Sequence, residues 1–130
     1  MVDEATLRAH LERLGWEAVP HGEGTLKSVH LTSEGEVPVY LRLDANWLVA
    51  SVVPFLATGG NNSFELARWL LRMNRDMRMS KFAYDEDGDV VLTLELPTES
   101  LDYEELAGAL VALLDDAMEH RATLRAAATS

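Results

Sequence analysis

The chain contains no cysteine. Disulfides, thiol nucleophiles and cysteine-based zinc sites are thereby excluded together, and a reducing cytoplasm is the expected location. Long apolar runs are also missing. The longest, Trp47 to Ala57, is broken by Pro54 and falls far short of the roughly 20 residues that span a bilayer. The opening residues Met1-Val2-Asp3-Glu4 have neither a basic nor an apolar signal region, so no secretory leader is expected. Basic residues are scarce: 11 Lys and Arg stand against 22 Asp and Glu, a formal net charge of −11. Such a field repels phosphates and anionic lipid, which disfavours direct nucleic acid or membrane binding. Trp16, Trp47, Trp69 and Tyr40 are therefore read as packing groups rather than base-stacking ones.

What remains is an ordinary globular composition, 48% hydrophobic and 25% charged over 130 residues, enough for one domain with its own core. The acidic excess gathers at Asp85–Asp89, Glu95–Glu105 and Asp115–Glu119. It reads as a solvated surface, or as a field that steers a basic partner segment.

Periodicity places the elements. Asp3 to Leu14 is a helix with Asp3 as N-cap, Val2 and Leu7 as a hydrophobic staple and Gly15 as the stop. Strands follow at Leu26–Thr32, Val37–Asp44 and Trp47–Val53, where Pro54 is expected to end the third. Trp47–Val53 is apolar at both parities, so both of its faces are expected to be covered. Ala57 to Asn62 reads as a flexible loop, with Asn62 and Glu65 as a capping pair for the next helix. Two more strands, Lys81–Tyr84 and Val90–Leu96, flank the Asp87-Gly88 turn signal. A final amphipathic helix starts at an Asp102 cap and runs to about His120. The expected architecture is α+β, in the order α-β-β-β-α-β-β-α, with a five-stranded antiparallel sheet packed by helices. A single domain over residues 1–121 and a frayed tail over 122–130 complete the reading.

The segment Ser63 to Arg78 is the most informative. On a wheel at about 100° per residue, its apolar residues and Asn74 fill an arc of roughly 220°. A helix lying on one sheet needs a stripe only a little over about 100° wide. The excess predicts two buried sides, one against the chain's own sheet and one against a second copy or a partner protein. Phe64, Trp69, Leu71, Met73 and Asn74 are the candidate contact residues. Asn74, polar inside this arc, either bonds to local backbone or fixes the register of an interface. Tyr40, Leu48 and Val52 on the sheet are candidates for a partner surface that could accept an extended segment.

Chemistry-bearing motifs are few. The run Asp85-Glu86-Asp87-Gly88-Asp89 invites a calcium reading, yet it lacks the remaining ligands and flanking helices of an EF-hand and reads as a hairpin turn. Among His10, His21, His30 and His120 no two stand in an i,i+4 or H-x-H relation. No serine sits in a G-x-S-x-G elbow, and Gly59-Gly60 lacks the lysine of a P-loop. No catalytic, cofactor-binding or metal residue is expected, and no cofactor.

The stretch Phe64 to Glu119 carries a resemblance. A helix with L-x-x-x-N, a short strand, an acidic-glycine turn, a strand closing in E-L-P and an amphipathic helix, ELARWLLRMNRDMRMSKFAYDEDGDVVLTLELPTESLDYEELAGALVALLDDAMEH, is similar to the YbjN-like family. That family shares its fold with type III secretion chaperones. The resemblance implies a non-enzymatic, usually dimeric α+β domain that binds another protein, with no catalytic or metal residues to carry over. The function expected is thus a chaperone-like adaptor or regulator that homodimerises, with a small-molecule-sensing domain as the alternative.

Overall fold

The computed structural model describes residues 2–60 and 62–128. Helix α1 spans Glu4–Leu14: Asp3 caps it by accepting from Thr6 N at 2.8 Å, and Gly15 ends it at φ 85°. Strands β1 (Val19–Pro20), β2 (Thr25–Thr32), β3 (Gly35–Asp44) and β4 (Trp47–Leu56) follow, then helix α2 (Phe64–Asp76), β5 (Lys81–Tyr84), β6 (Val90–Pro97) and helix α3 (Tyr103–Ala128).

The sheet has six strands rather than five, all antiparallel, in the order β1-β2-β3-β4-β6-β5. The added strand, β1, is two residues long and ends in proline, so it leaves no alternation to read. Pro54 does not end β4. A register shift between Val52 and Leu56 absorbs it, and pairing resumes at Leu56–Val90.

One face of the sheet is the core. Val37, Val39 and Leu41 of β3, Leu48, Ala50 and Val52 of β4, and Val90, Leu92 and Leu94 of β6 are buried there. They share one cluster with Leu7 and Leu11 of α1, Leu66 and Leu70 of α2 and Leu106, Leu110 and Leu113 of α3. The helices thus lie on a single face, and the expectation that both faces of β4 are covered is corrected. The other face presents the row Tyr40–Ser51–Thr93 and the residues Val29, Leu31 and Trp47.

The expected frayed tail is helical through Ala128, because Leu124 and Ala127 continue the buried stripe of α3. Residues 129 and 130 of that expectation lie outside the described residues. The loop before α2 is not loose either. Asp89 Oδ1 accepts from Thr58 N and Gly59 N, both at 2.8 Å, while Thr58 Oγ1 and Asn62 Nδ2 donate to Gly88 O. With Asn62 so engaged, Ser63 is the N-cap of α2, accepting from Leu66 N at 3.0 Å. Asn61 of that expected loop lies outside the described residues.

Candidate protein-binding surface

Helix α2 buries Leu66 and Leu70 in the core and leaves part of its apolar arc uncovered. Phe64 is 80% exposed and Leu71 71% exposed. Seven residues apart, they occupy one side of the helix two turns from each other. Arg68 lies between them, its guanidinium 5.9 Å from the Phe64 ring centre.

Trp69 and Met73 stand on the opposite wing and are half-buried. Trp69 Nε1 donates to Glu65 Oε1 at 3.1 Å, and Arg72 lies 5.7 Å from the Trp69 ring centre. This wing faces α3 across an open groove of about 620 Å³. Trp69, Met73, Met77, Met79 and Ala112 give the groove its apolar lining. Arg72 and Arg78 line it from the α2 side, where Arg75 is held by Asp76 at 3.0 Å. Asp116, Glu119 and His120 line it from α3. Their ligand-type atoms lie within 4.8 Å of one another, a helical i, i+3, i+4 grouping that a search for histidine pairs passes over. Ser80 Oγ donates to Asp116 Oδ2 at 2.6 Å.

Asn74 has a different place from that expected of an interface group. Its amide bonds both backbone groups of Phe82 within the same chain, so its polar atoms are already used. Leu48 and Val52 are also corrected: both are fully buried on the helix-covered face and offer nothing to a partner. Tyr40 pairs with Ser51, so it shares its face with the odd-numbered residues of β4 and lies on the helix-free side. On that side β2 has an open edge, since β1 covers only Leu26 and Lys27. Beyond them Val29 is exposed and Leu31 is 83% exposed, beside a second open groove of about 680 Å³ reaching Leu114 and Met118.

The acidic turn is used internally. Asp85 Oδ1 accepts from Asp87 N and Asp89 N, and Asp89 holds the loop before α2. Among the described residues no helix is long and apolar enough to cross a membrane.

Residues 3–126 match a family described as "YbjN: Putative bacterial sensory transduction regulator". No curated protein is similar enough in sequence to match. Among solved structures, the chain is similar to YbjN, "a putative transcription regulator from E. coli", at 19% identity and a TM-score of 0.71, covering 94% of this chain and 93% of that one. It is similar to a chain of the ExsC–ExsE complex at 23% identity and a TM-score of 0.66, covering 95% and 97%. A third likeness is to a chain of the Yersinia pestis complex between the type III secretion chaperone SycH and a fragment of YscM2, at 23% identity and a TM-score of 0.57, covering 87% and 94%. At these identities the likeness is one of fold.

Proposed function

Because the chain belongs to the YbjN family, we propose that it is a non-enzymatic, chaperone-like adaptor that homodimerises, binds a partner protein in the cytoplasm and modulates that partner's activity or stability. The observation that carries this reading is the pair Phe64 and Leu71, two large apolar side chains left in water on one side of a capped, well-anchored helix. Isolated exposed apolar residues are ordinary, whereas two aligned on one helix face form a docking stripe. Fully burying each such side chain contributes roughly 1.5–3 kcal/mol. Four of them, two from each copy, are then comparable with the association cost of about 4–15 kcal/mol. Arg68 and the flanking residues of α2 supply the remainder.

The partner has a separate surface in this reading. The helix-free sheet face around Tyr40 and the open edge of β2 present backbone donors and acceptors beside Val29 and Leu31, which suits an extended segment. The likeness in fold to chains solved in complex with another protein, one of them with the type III secretion chaperone SycH, supports a protein ligand.

Light scattering at tens of micromolar tests the self-contact. The expected result is a dimer for the natural chain and a monomer with unchanged circular dichroism for Leu71→Asp. A natural chain that stays monomeric removes the self-association. One observation favours the second reading, a small-molecule sensor: the groove beside Trp69 has the volume of a ligand pocket and brings polar groups to its rims. It is open along its length, which suits a macromolecular segment better than a buried small molecule.

A further inference from the structure

The two long walls of the α2–α3 groove differ in charge. Arg72 and Arg78 stand on the α2 side with Arg75 neutralised by Asp76, while Asp116 and Glu119 stand on the α3 side. In a chain of net charge −11, a basic wall facing an acidic one across an apolar floor is a local arrangement, not a reflection of bulk composition. The floor is rich in methionine: Met73, Met77 and Met79, with Trp69 at its side. Thioether side chains adapt their shape to whatever apolar groups enter. The walls are α3 on one side and, on the other, α2 with the short link that carries Met77, Arg78 and Met79; no strand residue lines the groove, so it offers no sheet edge for a strand to pair with.

From this we infer that the groove docks an amphipathic helix of a partner protein, one whose apolar stripe is flanked by acidic residues on one side and basic residues on the other. The acidic flank lies along Arg72 and Arg78 and the basic flank along Asp116 and Glu119. The charge difference between the walls does more than attract. A helix with flanks of opposite sign fits in one direction and is mismatched in the other, so the groove fixes the polarity of the docked segment. A helix with two acidic or two basic flanks meets one repelling wall in either direction. The site is separate from the Phe64–Leu71 stripe, and it rests on the proposed function only in taking a protein segment as its occupant.

Three labelled helical peptides of 18 residues with the same leucine stripe test it, one with Glu and Lys flanks, one with Glu on both, one with Lys on both. Fluorescence anisotropy is expected to show the mixed peptide binding about three- to tenfold tighter than either other, as a few partly exposed ion pairs allow. In Arg72→Glu/Arg78→Glu both walls are acidic, and the preference should pass to the Lys-flanked peptide. Both positions are exposed, so the fold is retained, which a thermal melt checks. Equal binding of all three, no binding at millimolar peptide, or an unchanged preference in the variant overturns the assignment. A loss of dimer mass in that variant overturns it too, since the occupant would then be a second copy. Loss of the dimer in Leu71→Asp with peptide preference intact leaves this site standing and removes only the self-contact.

Discussion

The side-chain amide of Asn74 bonds to both backbone groups of Phe82: Nδ2 donates to Phe82 O at 3.0 Å, and Phe82 N donates to Oδ1 at 2.7 Å. β5 is an edge strand, and an edge leaves backbone groups without a ladder partner. Asn74 supplies that partner from α2, so a second strand cannot pair with β5 at its middle. Lys81 Nζ completes the joint by donating to Asn74 O and Met77 O at the end of α2. A contact between copies in this region would therefore have to run through the helix stripe and not through a continuous sheet.

Asn74→Ala leaves the N–H and C=O of Phe82 without partners, at an expected cost of about 1–3 kcal/mol in urea unfolding. Asn74→Asp should not rescue it, because the acceptor is kept while a carboxylate is set against the Phe82 carbonyl. Faster hydrogen exchange at the Phe82 amide would locate the loss. A cost below about 0.5 kcal/mol for Asn74→Ala, within the range of an ordinary surface change, would show the pair contributes nothing.

Gly88 is held more tightly than the glycines of the facing loop. Its φ is +80°, and a Cβ built there would stand 2.7 Å from Gly60 Cα. That neighbour is backbone and cannot swing aside. Gly59 also has a positive φ, yet a Cβ there meets nothing within 4 Å. Gly59→Ala should thus cost only the conformational penalty, about 1 kcal/mol, and Gly88→Ala clearly more. Thermal melts of the two variants side by side decide it, and equal costs would mean the two loops are not in contact in solution.

These interactions mark where the sequence stops being informative. Caps and periodicity are local, so Asp3, Gly15 and the Asp102 cap of α3, which accepts from Glu105 N at 2.8 Å, were legible. The joining of Thr58 and Gly59 to Asp89 spans about thirty residues and has no local signature, which is why a tied loop reads as a flexible one. The same holds for the β4–β6 pairing that puts β5 at the edge. On the sheet the difference is one of parity. Trp47–Val53 is apolar at both odd and even positions, so nothing in it says that Leu48 and Val52 face the helices while Tyr40 faces away. On α2 the wheel gives the width of the arc but not its division into a stripe at Phe64 and Leu71 and a groove wing at Trp69 and Met73, which depends on where α3 lies.

His30 gives a pH dependence. Its ring lies 4.1 Å from the Trp16 ring and its Nε2 is 3.0 Å from Ser28 Oγ, and burial holds its pKa below the ordinary 6.5. The unfolded chain then takes up a proton at a higher pH than the folded one. The stability held above pH 6.5 is lost as pH falls from that value toward the depressed folded one. Urea unfolding between pH 7.5 and 5.5 should show a steeper decline for the natural chain than for His30→Gln. Identical slopes would mean the imidazole is as free to ionise in the folded state as in water.

Arg121 is 6% exposed, and its surroundings do not match its charge. Nη1 donates to Glu36 O at 3.1 Å, Nε has no partner among the described residues, and the guanidinium lies 5.7 Å from the Phe55 ring centre. Burial, with Arg125 nearby, pushes its pKa down, and Glu34 offsets only part of that. The stem packs usefully while the head is poorly solvated, so the two contributions separate by substitution. Arg121→Met keeps the stem and removes the buried charge with its orphaned N–H, and it should be neutral or stabilising by about 1 kcal/mol or more. Arg121→Ala removes the stem as well and opens a cavity between α3 and the β2–β3 hairpin, at an expected cost of about 2 kcal/mol or more. Should both variants lose stability equally, the guanidinium's single bond to Glu36 would outweigh the packing of its stem, and the hairpin would be held to α3 by charge rather than by contact.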